Sequence, residues 1–420
     1  MIWIAILGVV TWRMLRLSYI SPSLTRFLNV AFMAALVFPV GKISYTQLRA
    51  LATRDEIQTA LEMPIPLSLE GSIPLPDVYY IILDSYARDD VLEDTFGYDN
   101  TPFLSALEEL GFVVAGQSRS NYAITRLSLP SSLNMNYIDE LGIRLDPNAK
   151  DSARLDRISK SSIVRKAFES LGYQIVAFKT VYDWTDWVDS DLYLSPHPVS
   201  MADAQAFGGL NSFELLLIQT SLGRAAIDTR VKLKDLFGVK ILDPNEQHRD
   251  LILFALDRLG RMPEIPGPKF VFVHIMSPHP PYIFTADGGV AMQGGVFTLA
   301  DNYDEESDVD FYEGYRNQVV YLNSRVLEEI AKILANSDPL PIIVIQGDHG
   351  AFHVSNDDRM KILNAYYLPG GGQERLYDNI SPVNTFRVIL DLYFGGDLPL
   401  LEDSSYYSDN DHPFLLSPIP

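Results

Sequence analysis

Two acids and one histidine in this sequence stand at the ends of apolar runs. Asp84 follows the run at residues 77–83, and Asp348 and His349 follow the run at residues 340–346. Apolar runs of this kind predict strands buried on both faces, and ligands bind outside the carboxyl ends of such strands in open α/β sheets. Two carboxylates and an imidazole suit a divalent cation, so the sequence predicts a metal site.

A threonine supplies the hydroxyl group that such a site needs for chemistry. Thr125 opens the segment Thr-Arg-Leu-Ser-Leu-Pro, in which Pro130 is tolerated near a helix start. A hydroxyl bound to a divalent cation loses its proton more easily, and a helix start offers N–H groups to phosphate or sulfate oxygens. Thr125 is therefore the candidate nucleophile and a candidate metal ligand. Ser128 is the rival nucleophile, and a simple N-cap is the alternative role for Thr125.

Two histidines and two arginines are further candidates. His279 lies between prolines after the apolar run at residues 269–276, and it is a candidate for holding a nonbridging oxygen or protonating a leaving group. His274, inside that run, is a candidate substrate ligand or a hydrogen-bonded core histidine. Arg88 and Arg126 either clamp an anionic substrate or offset the acidic charge.

Strands alternating with helices are predicted to position these side chains. The predicted strands are residues 77–83, 112–115, 173–178, 269–276, 340–346 and 362–368. The predicted helices are residues 101–110, 161–171, 200–240, 245–259, 311–336 and 383–393. This alternation predicts the α/β class, as a three-layer sandwich with a mainly parallel central sheet.

The first 43 residues differ in composition from the rest of the chain. Two apolar runs, residues 1–10 and 27–40, flank a segment that contains arginines and no acid. A signal peptide would carry its basic residues before the apolar run. We therefore predict N-terminal membrane helices, although each run is shorter than the about 20 residues that span a bilayer comfortably. A buried helical hairpin and an amphipathic anchor are the alternatives.

The membrane prediction sets the expected location of the other segments. Arginines in the connecting loop would hold that loop in the cytoplasm, which places the catalytic domain of a cell-membrane protein on the extracytoplasmic side. Residues 44–76 predict a juxtamembrane helix and a Pro-rich linker, residues 77–400 the catalytic domain, and residues 401–420 an acidic tail. Within the domain, residues 285–309 predict a flexible lid.

Charge and cysteine content exclude several functions. The chain has 33 Lys and Arg against 54 Asp and Glu, a formal charge of -21, so it has no broad basic face for nucleic acid. It contains no cysteine, which excludes disulfides, thiolate metal sites and a cysteine nucleophile.

Four motifs recur in the order of a known family. They are Asp84 with Ala87-Arg88, Gly97-Tyr98 and Thr101-Pro102; Thr125-Arg-Leu-Ser128-Leu-Pro130; His274, His279 and Pro281; and Asp348-His349-Gly350. Over about residues 77–398 the chain resembles the alkaline-phosphatase-like superfamily. The resemblance is to its membrane-anchored, sulfatase-like branch of phosphoethanolamine transferases and lipoteichoic acid synthases.

This resemblance implies a function and a set of residue roles. It implies a membrane-anchored, metal-dependent phosphotransferase or phosphoric-ester hydrolase, with Thr125 as the nucleophile and Asp84, Thr125, Asp348 and His349 on the metal. Zinc or manganese is expected, with calcium or magnesium as alternatives. The expected partners are the lipid bilayer and a phospholipid or glycan phosphoester of the cell envelope.

The sequence also departs from the family pattern. The transferases often have Glu soon after Asp-His-Gly, where this chain has Ala351 and Phe352. Sulfatases need Cys or Ser followed by Pro and Arg for conversion to formylglycine, and this chain lacks the Cys and the Arg. Sulfuric-ester hydrolysis is therefore disfavoured, and it remains an alternative beside a catalytically silent binding domain of the same fold.

Overall fold

A seven-stranded sheet forms the centre of the computed structural model of this protein. Its strands in chain order are β1 (Val78–Leu83), β2 (Val113–Val114), β3 (Gln174–Phe178), β4 (Leu192–Leu194), β5 (Lys269–Ile275), β6 (Ile342–Gln346) and β7 (Asn364–Tyr367). The spatial order is β2-β7-β6-β1-β5-β3-β4. From β6 to β4 the strands pair in parallel, whereas β7 is antiparallel to both β6 and β2. The predicted mainly parallel sheet is confirmed.

The structure describes residues 75–141, 153–196, 244–291, 311–409 and 411–420, together with Leu67 and six helical positions between residues 26 and 41. The predicted helices in residues 1–43 and 200–240, the linker up to residue 74 and most of the predicted lid otherwise lie outside these residues. Within the described residues, no helix has both the length and the apolar character needed to cross a membrane. The chain divides into two units, Met1–Glu56 and Ile57–Pro420, and the sheet belongs to the second.

Helices cover both faces of the sheet. In chain order they are α1 (Asp89–Phe96), α2 (Thr101–Glu109), α3 (Thr125–Asn134), α4 (Ala153–Lys160), α5 (Ile163–Ser170), α6 (Pro244–Leu259), α7 (Phe311–Asn336) and α8 (Pro382–Phe394). Successive side chains of a strand point to opposite faces. Tyr80 and Ile82 of β1 therefore pack in an apolar cluster with α3, α5 and α8, while Tyr79 and Ile81 pack in a second cluster with α1, α2, α6 and α7. This is the predicted three-layer α/β sandwich.

The register of the three central strands aligns their carboxyl ends. Ile82 of β1 lies beside His274 of β5 on one side and Gln346 of β6 on the other. Every residue of these three strands is buried, as their apolar sequences predict. Asp84 and Asp348, which follow β1 and β6 closely, are therefore brought to the same edge of the sheet.

The last twenty residues contain ordered structure that packs beside the candidate nucleophile. Strands β8 (Ser405–Tyr407) and β9 (Ser417–Ile419) form an antiparallel pair. The Tyr406 N–H donates to the Asn121 carbonyl at 2.9 Å, and the Tyr406 ring stacks on Tyr122 with 5.9 Å between centroids. The Ser405 hydroxyl donates to the Ser120 carbonyl at 2.7 Å. The segment predicted as an acidic tail thus contains a hairpin that supports the residues leading into α3.

Candidate metal centre

The three predicted acid and imidazole ligands meet at the carboxyl edge of the sheet. Asp84, Asp348 and His349 each offer a ligand atom, and these atoms all lie within 4.8 Å of one another. The Nε2 atom of His349 is 3.7 Å from Oδ1 of Asp84 and 3.6 Å from Oδ2 of Asp348. All three residues are buried. Residues far apart in the chain therefore form one cluster, as the sequence predicts.

Each carboxylate in this cluster has one oxygen held by the protein and one oxygen facing the histidine. Oδ2 of Asp84 accepts a hydrogen bond from Nε2 of His274 at 3.0 Å, and Oδ1 of Asp348 accepts one from the Ser85 N–H at 3.0 Å. Among the described residues, the other two oxygens are buried without a hydrogen-bond partner. Burying a carboxylate oxygen without compensation is unfavourable, and a divalent cation would supply that compensation. The donor set therefore fits a metal ion.

The electrostatic surroundings keep both kinds of ligand in the form that binds metal. Burial alone would raise the pKa of Asp84, but the interactions with His279 and His274 outweigh it and lower the pKa, so the carboxyl stays ionised. Burial lowers the pKa of His349; Asp348 opposes this change and Arg359 adds to it. Metal binding needs an ionised carboxylate and a neutral imidazole, and these shifts favour both.

The tautomer of His349 is set by its own loop. Nδ1 lies 2.9 Å from the Gly350 carbonyl. A carbonyl oxygen only accepts, so Nδ1 carries the proton and Nε2 presents its lone pair to the two carboxylates. A second hydrogen bond of this kind orients metal-binding histidines in proteins generally.

Thr125 stands beside these ligands at the first position of α3. Its Oγ1 atom is 3.2 Å from Nε2 of His349, and the side chain is buried. The rival hydroxyl of Ser128 instead donates to the main-chain carbonyl of Asp348 at 2.6 Å. Of these two hydroxyl groups, that of Thr125 contacts the His349 imidazole, whereas that of Ser128 contacts the main chain of Asp348.

The two candidate histidines, His274 in β5 and His279 after it, occupy different positions. The main-chain N–H of His279 donates to the Asp84 carbonyl at 3.0 Å, which fixes this residue beside the cluster. Its ring meets Phe352 edge-on with 5.0 Å between centroids. His274 lies between Asp84 and Thr185, with Nδ1 3.1 Å from the Thr185 hydroxyl. That position suits orienting Asp84 and agrees with the alternative of a hydrogen-bonded core histidine; a substrate contact by His274 stays a prediction.

The two candidate arginines also differ. The Arg126 guanidinium lies 3.8 Å from the centre of the Trp184 ring, with its Nε 3.4 Å from Asp156, and its side chain is 36% exposed. Arg126 is therefore accessible immediately after Thr125. Arg88 is buried and donates to both carboxylate oxygens of Asp90 at 2.8 and 2.7 Å. A substrate contact by Arg88 stays a prediction.

Several residues around the site carry no clear sequence signal. Ser85 has a positive φ of 68°, and its N–H donates to Oδ1 of Asp348. The Ser120 hydroxyl donates to the Asp348 carbonyl at 2.6 Å. His248 of α6 is fully buried, and burial, followed by the charge of His279, lowers its pKa to about 3. Ser85 could have been suspected from its position after Asp84, whereas His248 lies in an ordinary helical pattern.

Comparisons with known proteins bear on the fold. Scanning protein-family models and searching curated proteins gave no match. The C-terminal periplasmic domain of EcEptC from Escherichia coli is similar with a TM-score of 0.51 and 13% identity, covering 82% of this chain and 92% of that one. The same domain in complex with zinc has a TM-score of 0.50 and 12% identity, covering 82% and 93%. The lipoteichoic acid synthase LtaP from Listeria monocytogenes has a TM-score of 0.46 and 12% identity, covering 84% and 82%.

The two comparisons with the periplasmic domain establish the fold of this chain. They cover most of both chains. At 12% and 13% identity this likeness shows a shared fold, and it agrees with the α/β fold predicted from the sequence.

Proposed function

We propose that this protein is a metal-dependent phosphoryl-group transferase or phosphoric-ester hydrolase in which Thr125 is the nucleophile. The observation that carries this proposal is the position of the Thr125 hydroxyl, 3.2 Å from the imidazole of a cluster in which two buried carboxylate oxygens lack a partner among the described residues. A nucleophile placed beside an electrophilic metal site is the arrangement that covalent phosphoryl transfer needs.

Asp84, Asp348 and His349 would hold the divalent cation, leaving a position for Thr125. Oxygen and nitrogen ligands suit zinc or manganese, and the zinc complex of the similar periplasmic domain supports zinc. When bound, the cation lowers the pKa of the hydroxyl and offsets negative charge on the phosphoryl oxygens.

The reaction consists of two successive displacements at phosphorus, in which the protein residues have different roles. In the first, Thr125 gives its proton to solvent, Oγ1 attacks phosphorus, and the bond from phosphorus to the leaving oxygen breaks as His279 gives that oxygen a proton. In the second, a water or an acceptor hydroxyl gives its proton to the now neutral His279 and attacks phosphorus, the bond from phosphorus to Oγ1 breaks, and Thr125 takes a proton back from solvent. Arg126 and the first turn of α3 would hold the anionic oxygens.

The substrates proposed are a membrane phospholipid as donor and an envelope lipid or glycan as acceptor, on the extracytoplasmic side of the cell membrane. The apolar N-terminal runs, the absence of cysteine and the family resemblance support this placement. Transfer is favoured over sulfate-ester hydrolysis because the chain lacks the Cys, and lacks the Arg after Ser128 and Pro130, that conversion to formylglycine would need.

The test compares the full chain with Thr125→Ala and Ser128→Ala after exposure to a membrane-lipid extract. Intact-mass analysis and peptide mapping should find an adduct on Thr125 in the wild type and in Ser128→Ala, and none in Thr125→Ala. The mass of the adduct identifies the transferred group. Undiminished turnover by Thr125→Ala would refute the mechanism. A silent binding domain would show no adduct and no change in thermal stability on adding zinc or manganese.

A further inference from the structure

A turn near the cluster contacts both the loop of Asp348 and His349 and the segment that precedes Thr125. The turn at Asp358–Met360 packs directly on Gly350, because a Cβ atom at Gly350 would lie 2.8 Å from the main-chain oxygens of residues 358, 359 and 361. The Gly350 N–H also donates to the Arg359 carbonyl at 2.7 Å. The glycine of Asp-His-Gly is therefore required for this close approach, which fixes the turn against the metal-binding loop.

The same turn also pairs with the segment that leads to the nucleophile. The Ser120 N–H donates to the Met360 carbonyl at 2.6 Å, and Arg119 and Lys361 form an antiparallel bridge. The turn thus lies between the loop of Asp348 and His349 and the segment that precedes Thr125.

The side chain of Arg359 spans these two elements. Its Nε donates to the Ala123 carbonyl at 3.1 Å, two residues before Thr125. Its Nη1 donates to the Ala351 carbonyl at 3.3 Å, two residues after His349. A guanidinium presents its donors in a rigid planar fork, so both carbonyl groups are held at a set separation.

Phe352 holds this guanidinium in place. The Arg359 guanidinium lies 3.8 Å from the centre of the Phe352 ring, and the ring meets both His279 and His349 edge-on, at 5.0 and 5.7 Å between centroids. Arg359 is only 9% exposed, so little of its side chain is available for solvent. Phe352 therefore contacts both the Arg359 guanidinium and the two histidines of the site.

We propose that Arg359 is a positioning residue that sets the distance between the Thr125 hydroxyl and the metal-binding loop. This inference rests on the proposed function and adds a residue to it. Loss of the fork lets the segment before Thr125 shift relative to His349, and small errors in the placement of a nucleophile reduce the rate of the chemical step strongly. Substrate binding depends on other groups and changes little.

The test uses the full chain, a chromogenic phosphate diester and zinc ion alone as the metal probe. Arg359→Lys keeps the charge and loses the fork. It should lower kcat about tenfold to a hundredfold, leave KM within about twofold, and raise the Kd for zinc about tenfold. Arg375→Lys is the matched control, because Arg375 also lies in a short turn, is 56% exposed and pairs with Asp391. It should change none of the three.

A second variant separates positioning from folding. Phe352→Leu removes the ring face under the guanidinium and keeps an apolar side chain, so it should shift kcat and the zinc Kd in the same direction as Arg359→Lys by a smaller factor. If Arg359→Lys does not fold, this variant decides. A kcat within twofold of wild type in the folded variant, with Thr125→Ala inactive, overturns this inference alone. Full turnover by Thr125→Ala overturns the proposed function instead.

Discussion

Charged groups with little or no exposure lie at both ends of the strands β1 and β5, and their partners differ between the two ends. Where the strands begin, Lys269 lies 2.5 Å from Oδ2 of Asp77, whose Oδ1 accepts the Lys269 N–H at 3.2 Å. Where they end, Asp84 is bonded to His274 through one oxygen, and its other oxygen is buried without a partner among the described residues. One end is a closed ion pair and the other is an incomplete site.

This difference indicates which end of the sheet is suited to binding a ligand. A matched buried pair balances its own charge and needs nothing further from a ligand. At the carboxyl edge, two carboxylates lie close together and only one oxygen of each accepts a hydrogen bond from the described residues. A bound cation would balance their negative charge. Substitutions at the two ends are therefore expected to act on different quantities.

The largest effect is expected at the closed end. Lys269→Met leaves the Asp77 carboxylate without its cation and should lower the free energy of unfolding by about 3 kcal/mol at pH 7, measured by urea unfolding. Burial already raises the pKa of Asp77 in spite of Lys269, so the stability that this carboxyl contributes is present at low pH and is lost as pH rises through the raised pKa.

The pH dependence supplies the control for that prediction. Removing Lys269 should raise the pKa of Asp77 further, so the destabilisation should shrink as the pH falls from 7 towards the ordinary aspartate value of 3.8. An equal loss at pH 7 and pH 5 would show that lost packing, not the unpaired charge, causes the effect.

The next largest effect is expected at the carboxyl edge of the sheet. Asp348→Asn keeps an acceptor for the Ser85 N–H and removes the charge, so the metal-free protein should unfold with an undiminished free energy. At free zinc of 100 times the wild-type Kd, the wild type should gain about 2.7 kcal/mol of stability and the variant almost none. A thermal shift by zinc that is equal in both proteins would contradict the proposed site.

A smaller effect is expected at His274, which contacts the predicted metal ligand Asp84. His274→Leu leaves Oδ2 of Asp84 without its donor and should weaken zinc binding about tenfold to a hundredfold, measured by calorimetry. His274→Gln, whose amide can donate to the same oxygen, should recover part of that affinity. Equal affinities for both variants would show that packing at this position, and not the hydrogen bond, matters.

The smallest effect is expected at Ser128. Ser128→Ala removes one of the two hydroxyl groups that donate to the Asp348 carbonyl and should cost about 1 kcal/mol in the free energy of unfolding. Zinc affinity and the mass adduct on Thr125 should persist. An adduct that disappears in this variant and survives in Thr125→Ala would exchange the roles of the two residues.

Much of the fold was predictable because its strands are uniformly apolar. The continuous runs that became β1, β5 and β6 predict strands buried on both faces, and the ends of β1 and β6 marked Asp84, Asp348 and His349 as metal-ligand candidates. The hairpin of β8 and β9 was not predicted, because its short strands are partly exposed and have no apolar pattern. Helix α1, also unpredicted, is short and largely acidic.

The roles of individual polar residues were less predictable than their presence. Thr125 and Ser128 lie in one motif with similar hydroxyl groups, and only their contacts with His349 and with the Asp348 carbonyl separate them. Arg88 and Arg126 both follow site residues, yet one forms an ion pair with Asp90 and the other stacks on Trp184.

By itself, the sequence determined the class of fold, the excess of acidic charge and the types of side chain available for chemistry, because these follow from local periodicity and composition. Tertiary structure alone decided which oxygens of Asp84 and Asp348 are left for a cation, and that Arg359 spans the two halves of the site. The contact between Arg359 and Ala123 joins residues 236 positions apart. The geometry of these contacts depends on the register of the parallel strands and on the turn at Asp358–Met360, which no local pattern specifies.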